Sequence, residues 1–315
     1  MPLLDNNRVV IIVGPTAVGK TDLSIKLAKK MNGEIISADS RYLYRGMDIG
    51  TAKPSKVELE TVRHYLIDVA DIDENWSLAV YQSQALAYIK KILSEKKLPF
   101  LVGGTGQYIF SILEGWQIPT IKPDYCLRDV LQKLGEEIGK EALFEKLEII
   151  DPQAAALMDS GNTRRTIRAL EVIFTTGHLF SVQRQKKPVG FSYKLIGLTR
   201  DRKNLYERID ARIEGMMELG FVHEVEDLLQ KGFVLDLPPM SAIGYKEIGL
   251  YLNGQLEMSE CIALIKRRSR QFVRRQANWF NKKDERITWF DLDLDVDSEK
   301  SIEDFISSER GWINE

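Results

Sequence analysis

The sequence predicts an α/β fold, in which a parallel β-sheet is flanked by helices, and three observations carry this prediction. Residues 9–13 form an unbroken apolar run, which is typical of a buried parallel strand. Residues 14–21 follow at once and match the phosphate-binding pattern G-x-x-x-x-G-K-[ST]. Residues 22–31 carry apolar side chains at helical spacing. Strand, loop and helix in this order predict a core like that of the P-loop nucleoside triphosphatases.

The loop itself predicts a site for a di- or triphosphate. Its glycines allow successive backbone N–H groups to turn inward around an anion, and the helix that follows adds its dipole. The lysine supplies a charge, and the last hydroxyl is a ligand for Mg²⁺. Most such loops bind nucleotides such as ATP, and the loop alone leaves the ligand open. It consists of Gly14, Pro15, Thr16, Ala17, Val18, Gly19, Lys20 and Thr21.

The composition excludes several other classes of protein. The chain has 315 residues, 44% of them hydrophobic, and a net charge of −2, which is typical of a folded protein without a global preference for nucleic acid. Two cysteines and three scattered histidines assemble neither a zinc site nor a disulfide framework. No apolar run approaches the ~20 residues that span a bilayer. We therefore expect a cytoplasmic protein with no membrane partner, and a monomer.

Two further predicted strands end in polar residues. Residues 34–38 lead to Asp39 and Ser40, and residues 65–69 contain Asp68. The carboxyl ends of parallel strands face the ligand site of an open α/β sheet. Asp39 is thus a candidate either for binding Mg²⁺ through a water or for acting as a base. Asp68 is a candidate second acidic group near the phosphates.

A second glycine-rich turn is predicted to open at the same edge of the sheet. The apolar strand at 99–102 ends in Gly-Gly-Thr-Gly at 103–106, where Thr105 offers a hydroxyl. The spacing of this turn is equally compatible with a structural role.

A helical insertion is predicted after this turn. Prolines interrupt helical patterns from residue 115 onward, and strand character returns at 194–199. The chain therefore divides into a first part of the core at 1–114, the insertion at 115–190 and the completion of the core at 191–315. Within the insertion, Arg164 and Arg168 share one helix face beside Arg165, which fits either an anion site or a solvated surface.

Two arginines mark the first helix after the insertion. Asp201 is its predicted N-cap, and Arg208 and Arg212 lie one turn apart beside the apolar stripe. Guanidinium groups in this arrangement suit a diphosphate, although ion pairs with Glu207 or Asp210 are an equal alternative.

The segment 266–283 is the strongest local charge feature. It holds eight basic residues and no acidic one, interleaved with Phe272, Trp279 and Phe280. Basic groups take phosphates and aromatic faces stack on splayed bases, so the segment predicts an RNA-binding helix. The alternating acids at 291–297 predict a solvated strand face. The basic residues are Lys266, Arg267, Arg268, Arg270, Arg274, Arg275, Lys282 and Lys283.

Taken together, these stretches resemble the tRNA dimethylallyltransferases, also called tRNA isopentenyltransferases, over about residues 8–281. The most specific matches are Met-Asp-Ile-Gly-Thr-Ala-Lys-Pro at 47–54 and Arg-Arg-Gln-Ala-Asn-Trp-Phe at 274–280. The other matching segments are 14–21, 39–46, 64–68, 103–106, 168–172 and 242–247. No Cys/His zinc-finger segment follows, so the chain resembles the bacterial form.

The resemblance implies a reaction and a role for each matching residue. The loop would hold the pyrophosphate of dimethylallyl diphosphate, and the prenyl group would go to the exocyclic amine of the adenosine 3′ of the tRNA anticodon. Asp39 would be the base and Thr105 would support the reacting centre, while Lys20, Arg212 and Thr21 with Mg²⁺ would neutralise the leaving group. The implied tRNA contacts are Asp39, Ser40, Arg41, Tyr42, Thr105, Arg128, Arg164, Arg165, Arg168, Arg270, Arg274, Arg275 and Trp279.

Three positions depart from the family pattern, and three other functions remain open. Tyr42 stands where Gln is frequent, Gln107 where Leu is frequent, and Asn278 where Thr is frequent. A P-loop small-molecule kinase explains residues 9–31 equally well but not the basic segment. An adenylate isopentenyltransferase would need neither that segment nor the insertion. A non-catalytic RNA-binding protein would not need Lys20, Thr21 and Asp39 intact.

Overall fold

The fold is organised around one six-stranded, wholly parallel sheet. The structure is a computed structural model, and it describes residues 7–119, 121, 123–184, 187–294 and 297–313. The strand order is β3-β2-β4-β1-β5-β6. This confirms the predicted α/β class. The strands are β1 (Arg8–Val13), β2 (Gly33–Ser37), β3 (His64–Tyr65), β4 (Leu98–Gly103), β5 (Ser192–Thr199) and β6 (Ile287–Asp291).

The first strand lies at the centre of the sheet, as its unbroken apolar run predicts. Residues 9–13 have no exposed surface, because helices cover both faces. Val13 pairs with Gly103 of β4 and with Gly197 of β5, and Ser37 of β2 pairs with Val102. The carboxyl ends of β1, β2 and β4 are therefore level, and the loops that follow them open at one edge.

Helices surround the sheet, and their boundaries follow local capping chemistry. The helix after the P-loop begins at Lys20, and Ser77 and Asp201 accept backbone N–H groups at the start of the helices Leu78–Ser94 and Arg202–Glu218. The helices are α1 (Lys20–Lys30), α2 (Lys56–Thr61), α3 (Leu78–Ser94), α4 (Gly106–Leu113), α9 (Arg202–Glu218), α10 (Phe221–Gln230), α11 (Tyr245–Leu252), α12 (Met258–Trp279) and α13 (Ser298–Ser307).

The chain consists of two compact units, Met1–Ile112 with Gly190–Glu315 and Leu113–Val189. The second unit is helical, with α5 (Tyr125–Ile138), α6 (Lys140–Ile150), α7 (Pro152–Ala155) and α8 (Thr163–Thr176). Leu131, Leu147 and Leu170 pack in its core. The sequence places the insertion at 115–190, and its role in tRNA binding stays a prediction. No helix within the described ranges is both long and apolar enough to cross a membrane.

Two sequence predictions are wrong. The third strand covers only His64–Tyr65, because Leu66 and Asp68 adopt left-handed backbone conformations with φ of 62° and 53°. The Asp68 carboxylate pairs with the ammonium of Lys53. The last strand precedes the acidic tail: β6 ends at Asp291 and a turn follows, while residues 295 and 296 of the predicted strand lie outside the described residues.

Candidate active site

The P-loop has the backbone geometry of an anion cradle. A Cβ atom on Gly14 would lie 2.7 Å from the carbonyl oxygen of Leu198 in β5, so only glycine lets the loop pass this strand. Ala17 and Gly19 also have positive φ, at 62° and 111°. Gly19 is the N-cap of α1 and has no side chain to bind the first N–H groups of the helix. These donors stay available to an anion.

Lys20 lies across the loop. Its Nζ donates hydrogen bonds to the carbonyl oxygens of Gly14 at 3.0 Å and Pro15 at 2.8 Å. Burial lowers the pKa of Lys20 to about 8, an effect that the Asp39 carboxylate opposes and the Arg212 guanidinium reinforces. Because both partners are neutral carbonyls, phosphate oxygens would be stronger partners for this ammonium.

Three arginines that follow β5 in the chain contact the same loop. Nε of Arg200 donates to the Val18 carbonyl at 2.9 Å, and Nε of Arg208 donates to the Ala17 carbonyl at 2.9 Å. Arg212 donates from Nη1 to Oγ1 of Thr16 at 3.3 Å and from Nη2 to the Thr51 carbonyl at 3.1 Å. Arg208 and Arg212 thus contact the loop, while Asp210 pairs with Arg270, and the binding of a diphosphate by the two arginines stays a prediction.

Asp39 and Thr105 meet where β2 and β4 end. Oδ1 of Asp39 accepts the Arg41 N–H at 2.9 Å, and Oγ1 of Thr105 accepts the Ser40 N–H at 3.1 Å. The two strand ends approach closely, since a Cβ atom on Gly103 would lie 2.2 Å from the Ala38 carbonyl oxygen. The Gly-Gly-Thr-Gly turn thus has a steric reason for its first glycine and also supplies the hydroxyl that orients Ser40.

Tyr42 and Arg41 are both held by carbonyl groups. The Tyr42 hydroxyl donates to the Ala52 carbonyl at 2.8 Å, and burial raises its pKa to about 12, with the Asp39 carboxylate adding to the shift. The phenol is therefore a neutral donor at physiological pH. Nη1 of Arg41 donates to the Pro238 carbonyl at 3.0 Å.

A cavity of about 440 Å³ joins the loop to the strand ends, a volume within the usual range for small-molecule sites. Thr105 does not line it but contacts the residue next to Asp39. The polar and charged groups of the lining are Thr16, Lys20, Thr21, Asp22, Ser24, Ser37, Asp39, Tyr42, Thr51, His64, Arg208, Arg212 and Gln276.

The donor set of this cavity fits Mg²⁺ better than a softer metal. Thr21, Asp22 and Asp39 line it with oxygen ligands, and Mg²⁺ normally keeps waters and binds phosphates with one or two protein ligands. Among the described residues, no three His, Cys, Asp or Glu side chains form a metal cage. A Mg²⁺ ion here would therefore be bound largely by its phosphate ligand, with Thr21 as the protein hydroxyl.

The loop at 47–54 is anchored from outside the cavity by one carboxylate. Oε2 of Glu224 accepts the N–H groups of Asp48 at 2.9 Å and Ile49 at 2.7 Å, and Oε1 accepts that of Gly50 at 3.1 Å. The Tyr245 hydroxyl donates to the same Oε1 at 2.6 Å. The loop in turn presents the Thr51 carbonyl to Arg212. Two of the family-like segments, 47–54 and 242–247, therefore meet through Glu224.

Three basic residues of α12 have acidic partners within the protein, and the binding of RNA by this helix stays a prediction. Lys266 pairs with Glu214 at 2.6 Å, Arg268 pairs with the buried Glu247, and Arg270 pairs with Asp210. These acidic residues lie on α9 and α11. A count of acidic and basic residues along α12 alone therefore does not include them.

The remaining basic residues of this segment are exposed: Arg267, Arg274, Arg275, Lys282 and Lys283. Nε of Arg274 lies 3.4 Å from the Tyr206 hydroxyl, and the Arg275 guanidinium lies 5.8 Å from the Phe272 ring. Trp279 is 43% exposed, and its ring centroid lies 6.1 Å from that of Phe110. Arginine and aromatic groups suitable for RNA therefore do remain on this surface.

In the helical unit, two of the four predicted tRNA-binding arginines have a structural partner. Glu171 is 1% exposed and binds Arg128 at 2.9 Å and Arg168 at 2.6 Å. Arg164 is exposed and Arg165 is half-buried. Arg164 and Arg168 share a helix face, but Arg164 is exposed to solvent whereas Arg168 forms an internal ion pair with Glu171.

Sequence reasoning missed Gln276, Arg200 and Glu224 as parts of this site. Gln276 lies in a family-like segment, but nothing in its local pattern indicates a contact with the P-loop. Oε1 of Gln276 accepts the Thr16 N–H at 2.9 Å across 260 residues of chain. Such contacts depend on the tertiary structure alone.

Comparison with known proteins places this geometry in a family. A family model described as IPP transferase matches residues 42–283. The tRNA dimethylallyltransferase of Roseiflexus sp. (strain RS-1) is 50% identical over 273 residues, which cover 87% of this chain and 90% of the relative. That of Bacillus cytotoxicus is 45% identical over 298 residues, covering 94% and 93%.

Solved structures agree with these relatives. The tRNA isopentenylpyrophosphate transferase of Bacillus halodurans superposes with a TM-score of 0.70 at 43% identity, covering 95% of each chain. A eukaryotic dimethylallyltransferase described as acting on tRNA gives a TM-score of 0.80 at 27% identity, covering 96% of this chain and 80% of its own. With a P-loop, an acidic group and two arginines around one cavity, and with relatives matched over nearly its full length, this chain belongs to the IPP transferase family.

Proposed function

We propose that this chain transfers a dimethylallyl group from dimethylallyl diphosphate to the exocyclic amine of the adenosine 3′-adjacent to the anticodon of a tRNA. The observation that carries this proposal is that one cavity holds both a cationic diphosphate cradle and a carboxylate at its wall. Membership of the family, whose matched relatives are named tRNA dimethylallyltransferases, supports the same reaction. The proposed enzyme acts as a monomer in the cytoplasm, where its RNA substrate is found.

The cradle is suited to a diphosphate leaving group. Lys20 and Arg212 supply cationic donors to its oxygens, and the Thr21 hydroxyl would help to hold a Mg²⁺ ion. Mg²⁺ would supply neutralisation of the negative charge that grows on the bridging oxygen as the carbon–oxygen bond breaks. Backbone N–H groups at the start of α1 act in the same direction.

The part of the cavity wall that holds Asp39 is suited to the amine. An adenine amine is a weak nucleophile, because its lone pair is delocalised into the ring. The amine nitrogen forms a bond to C1 of the prenyl group, pyrophosphate departs, and the Asp39 carboxylate accepts the proton released from nitrogen. The Arg41 N–H and the Thr105–Ser40 contact hold this wall in place. The neutral Tyr42 phenol offers a ring or a donor to the base.

The RNA would bind outside the cavity through groups that the protein leaves exposed. Arg274, Arg275 and Trp279 on α12 suit the phosphates and bases of an anticodon stem-loop, and Arg164 offers a further cation. The target adenosine must leave its stack to enter the cavity, as bases do in other modifying enzymes.

The test is incubation of the protein with unmodified tRNA, Mg²⁺ and dimethylallyl diphosphate, followed by nuclease digestion and mass analysis of the nucleosides. The expected product is isopentenyl-adenosine at the position next to the anticodon, with one pyrophosphate released for each group transferred. Parallel reactions with free AMP and with labelled ATP act as controls. Product on AMP alone, or transfer of phosphate from ATP, would contradict the proposal.

A further inference from the structure

Gln276 is the only buried polar side chain on α12 among the described residues, and it lies on the inner face of the helix. It is 5% exposed, whereas its neighbours Arg274 and Arg275 are exposed. The other buried residues of this helix are Cys261 and Ile265. A buried amide is costly unless both of its ends are hydrogen-bonded. Its presence here therefore calls for partners.

Both ends of this amide bind backbone groups of the two loops that form the cavity. Oε1 accepts the Thr16 N–H at 2.9 Å, and Nε2 donates to the Gly104 carbonyl at 3.1 Å. These partners fix the orientation of the amide, because the reverse orientation would set donor against donor and acceptor against acceptor. A Cβ atom on Gly104 would lie 2.3 Å from Nε2, so glycine is what admits the amide.

The two backbone groups belong to two different loops, the P-loop and the Gly-Gly-Thr-Gly turn. Thr16 is the P-loop residue whose hydroxyl accepts from Arg212 at 3.3 Å. Gly104 directly precedes Thr105, whose hydroxyl holds the Ser40 N–H next to Asp39. One amide thus bridges the P-loop and the turn that holds Ser40, and a shift of either loop changes the length of one of its two hydrogen bonds.

We propose that Gln276 is a positioning residue that sets the spacing between the P-loop and the turn carrying Thr105, and so aligns the leaving group with the base. This inference rests on the proposed function. Misalignment of reacting groups by about 1 Å costs roughly 100-fold in rate. The residue touches the protein walls and acts through them.

The first experiment measures kcat and KM for prenyl transfer by Gln276→Leu and Gln276→Glu, with Ser259→Ala as a control at an exposed position of the same helix outside the basic segment. Gln276→Leu removes both hydrogen bonds, and we expect kcat to fall roughly 100-fold with a smaller change in KM. The control should retain the activity of the wild-type protein. A folded Gln276→Leu protein with wild-type kcat would overturn the proposal.

Gln276→Glu is expected to change the pH dependence of kcat, which substitution of a residue with only a structural role would leave unchanged. Ionised glutamate still accepts from Thr16 but repels the Gly104 carbonyl, whereas protonated glutamate restores the donor. The ratio of variant to wild-type kcat should therefore rise as the pH is lowered from 8 to 6. The other titratable and charged groups of the cavity are the same in both proteins, so the ratio isolates the change at residue 276; these groups are Lys20, Asp22, Asp39, Tyr42, His64, Arg208 and Arg212. A ratio independent of pH would refute the assignment, even if the leucine variant does not fold.

A third measurement separates this inference from the proposed function. The affinity for inorganic pyrophosphate and the amide exchange rate of Thr16 are measured without RNA or prenyl donor. In Gln276→Leu, which removes the acceptor of the Thr16 N–H, we expect this amide to exchange faster than in the wild-type protein. If the wild-type protein transfers no prenyl group, the proposed reaction fails while this readout still decides the role of Gln276. Unchanged exchange of the Thr16 amide would overturn that role.

Discussion

Replacement of Glu224 by alanine should loosen the loop at 47–54 without unfolding the protein. The Glu224 carboxylate accepts three consecutive backbone N–H groups, those of Asp48, Ile49 and Gly50, at 2.7–3.1 Å. It also accepts the Tyr245 hydroxyl at 2.6 Å. Alanine leaves the three N–H groups and the phenol without this acceptor.

The size of the effect follows from these contacts. A hydrogen bond to an ionised acceptor contributes about 1.5–3 kcal/mol. Glu224 is half-buried, so water can replace part of what is lost. We therefore expect about 3 kcal/mol less local stability for the three amides together. That difference corresponds to roughly 150-fold faster opening of the loop.

Hydrogen–deuterium exchange of the amides of Asp48, Ile49 and Gly50 measures this opening directly. Tyr245→Phe is the matched control, because it removes one of the four partners of Glu224 and none of the amides. It should accelerate exchange by less than about tenfold. Because the loop presents the Thr51 carbonyl to Arg212 at 3.1 Å, the alanine variant should also lose transferase activity.

One result would refute this reasoning. If the three amides of a folded Glu224→Ala protein exchange within about fivefold of the wild-type rate, then the carboxylate does not carry the local stability assigned to it.

Four further predictions concern charged groups. Burial lowers the pKa of Lys20 to about 8, so its side chain is a charged ammonium below that pH. Calorimetry should therefore find that the affinity of the protein for inorganic pyrophosphate falls as the pH rises through about 8. The same decline in a Lys20→Arg variant would contradict this assignment. Asp39→Ala should abolish prenyl transfer while tRNA binding in a filter assay stays near the wild-type value, and lost binding with intact turnover would exclude Asp39 as the base. Burial raises the pKa of Glu171, but hydrogen bonds from its arginine partners outweigh burial, and the net effect is a lowered pKa in the folded protein. The stability that Glu171 contributes is therefore present above about pH 4.5 and is lost as the pH falls through the pKa of the folded state. Glu171→Gln should therefore cost about 2 kcal/mol of unfolding free energy at pH 7 and flatten the acid limb of a denaturation series, whereas an unchanged acid limb would speak against the ion pairs. Replacing Arg274 and Arg275 together by alanine should reduce the slope of log K for RNA against log salt by about 1.4–1.8, and an unchanged slope would mean that neither contacts a phosphate.

For the basic helix α12, the local sequence predicts the composition and the faces of the helix but not the partners of its cations. Its charge and aromatic residues are a property of consecutive positions, and the helical period predicts which of them share a face. Three of its cations are nonetheless paired with acids from α9 and α11. A local count of charges cannot include partners that are 21 to 60 residues away.

In the helical unit, the partner of Arg128 and Arg168 was likewise not predicted from the local sequence. The resemblance assigns both to tRNA, and their positions in the sequence fit that role. The structure directs both guanidinium groups to Glu171, which is buried and requires compensation for its charge. A second role in RNA binding stays a prediction for these two residues.

The sequence by itself determined the class of fold, and it predicted the phosphate cradle and Asp39 as either a base or a Mg²⁺ ligand; the family resemblance alone favoured the base. Each of these depends on a short pattern: an apolar run, a glycine-lysine-threonine loop and a carboxylate at the end of a strand. The backbone torsions of glycine and the pairing of parallel strands then follow from local chemistry.

Only the tertiary structure decided how that cradle is completed. Arg200, Arg208 and Arg212 reach the loop from more than 180 residues away, and Gln276 reaches it from 260. These contacts form because β5 pairs beside β1 and brings the following helix to the loop, while α12 packs on that helix in turn. The physical reason is that a hydrogen bond depends on distance in space, and distance in space is set by the packing of the whole sheet and its helices.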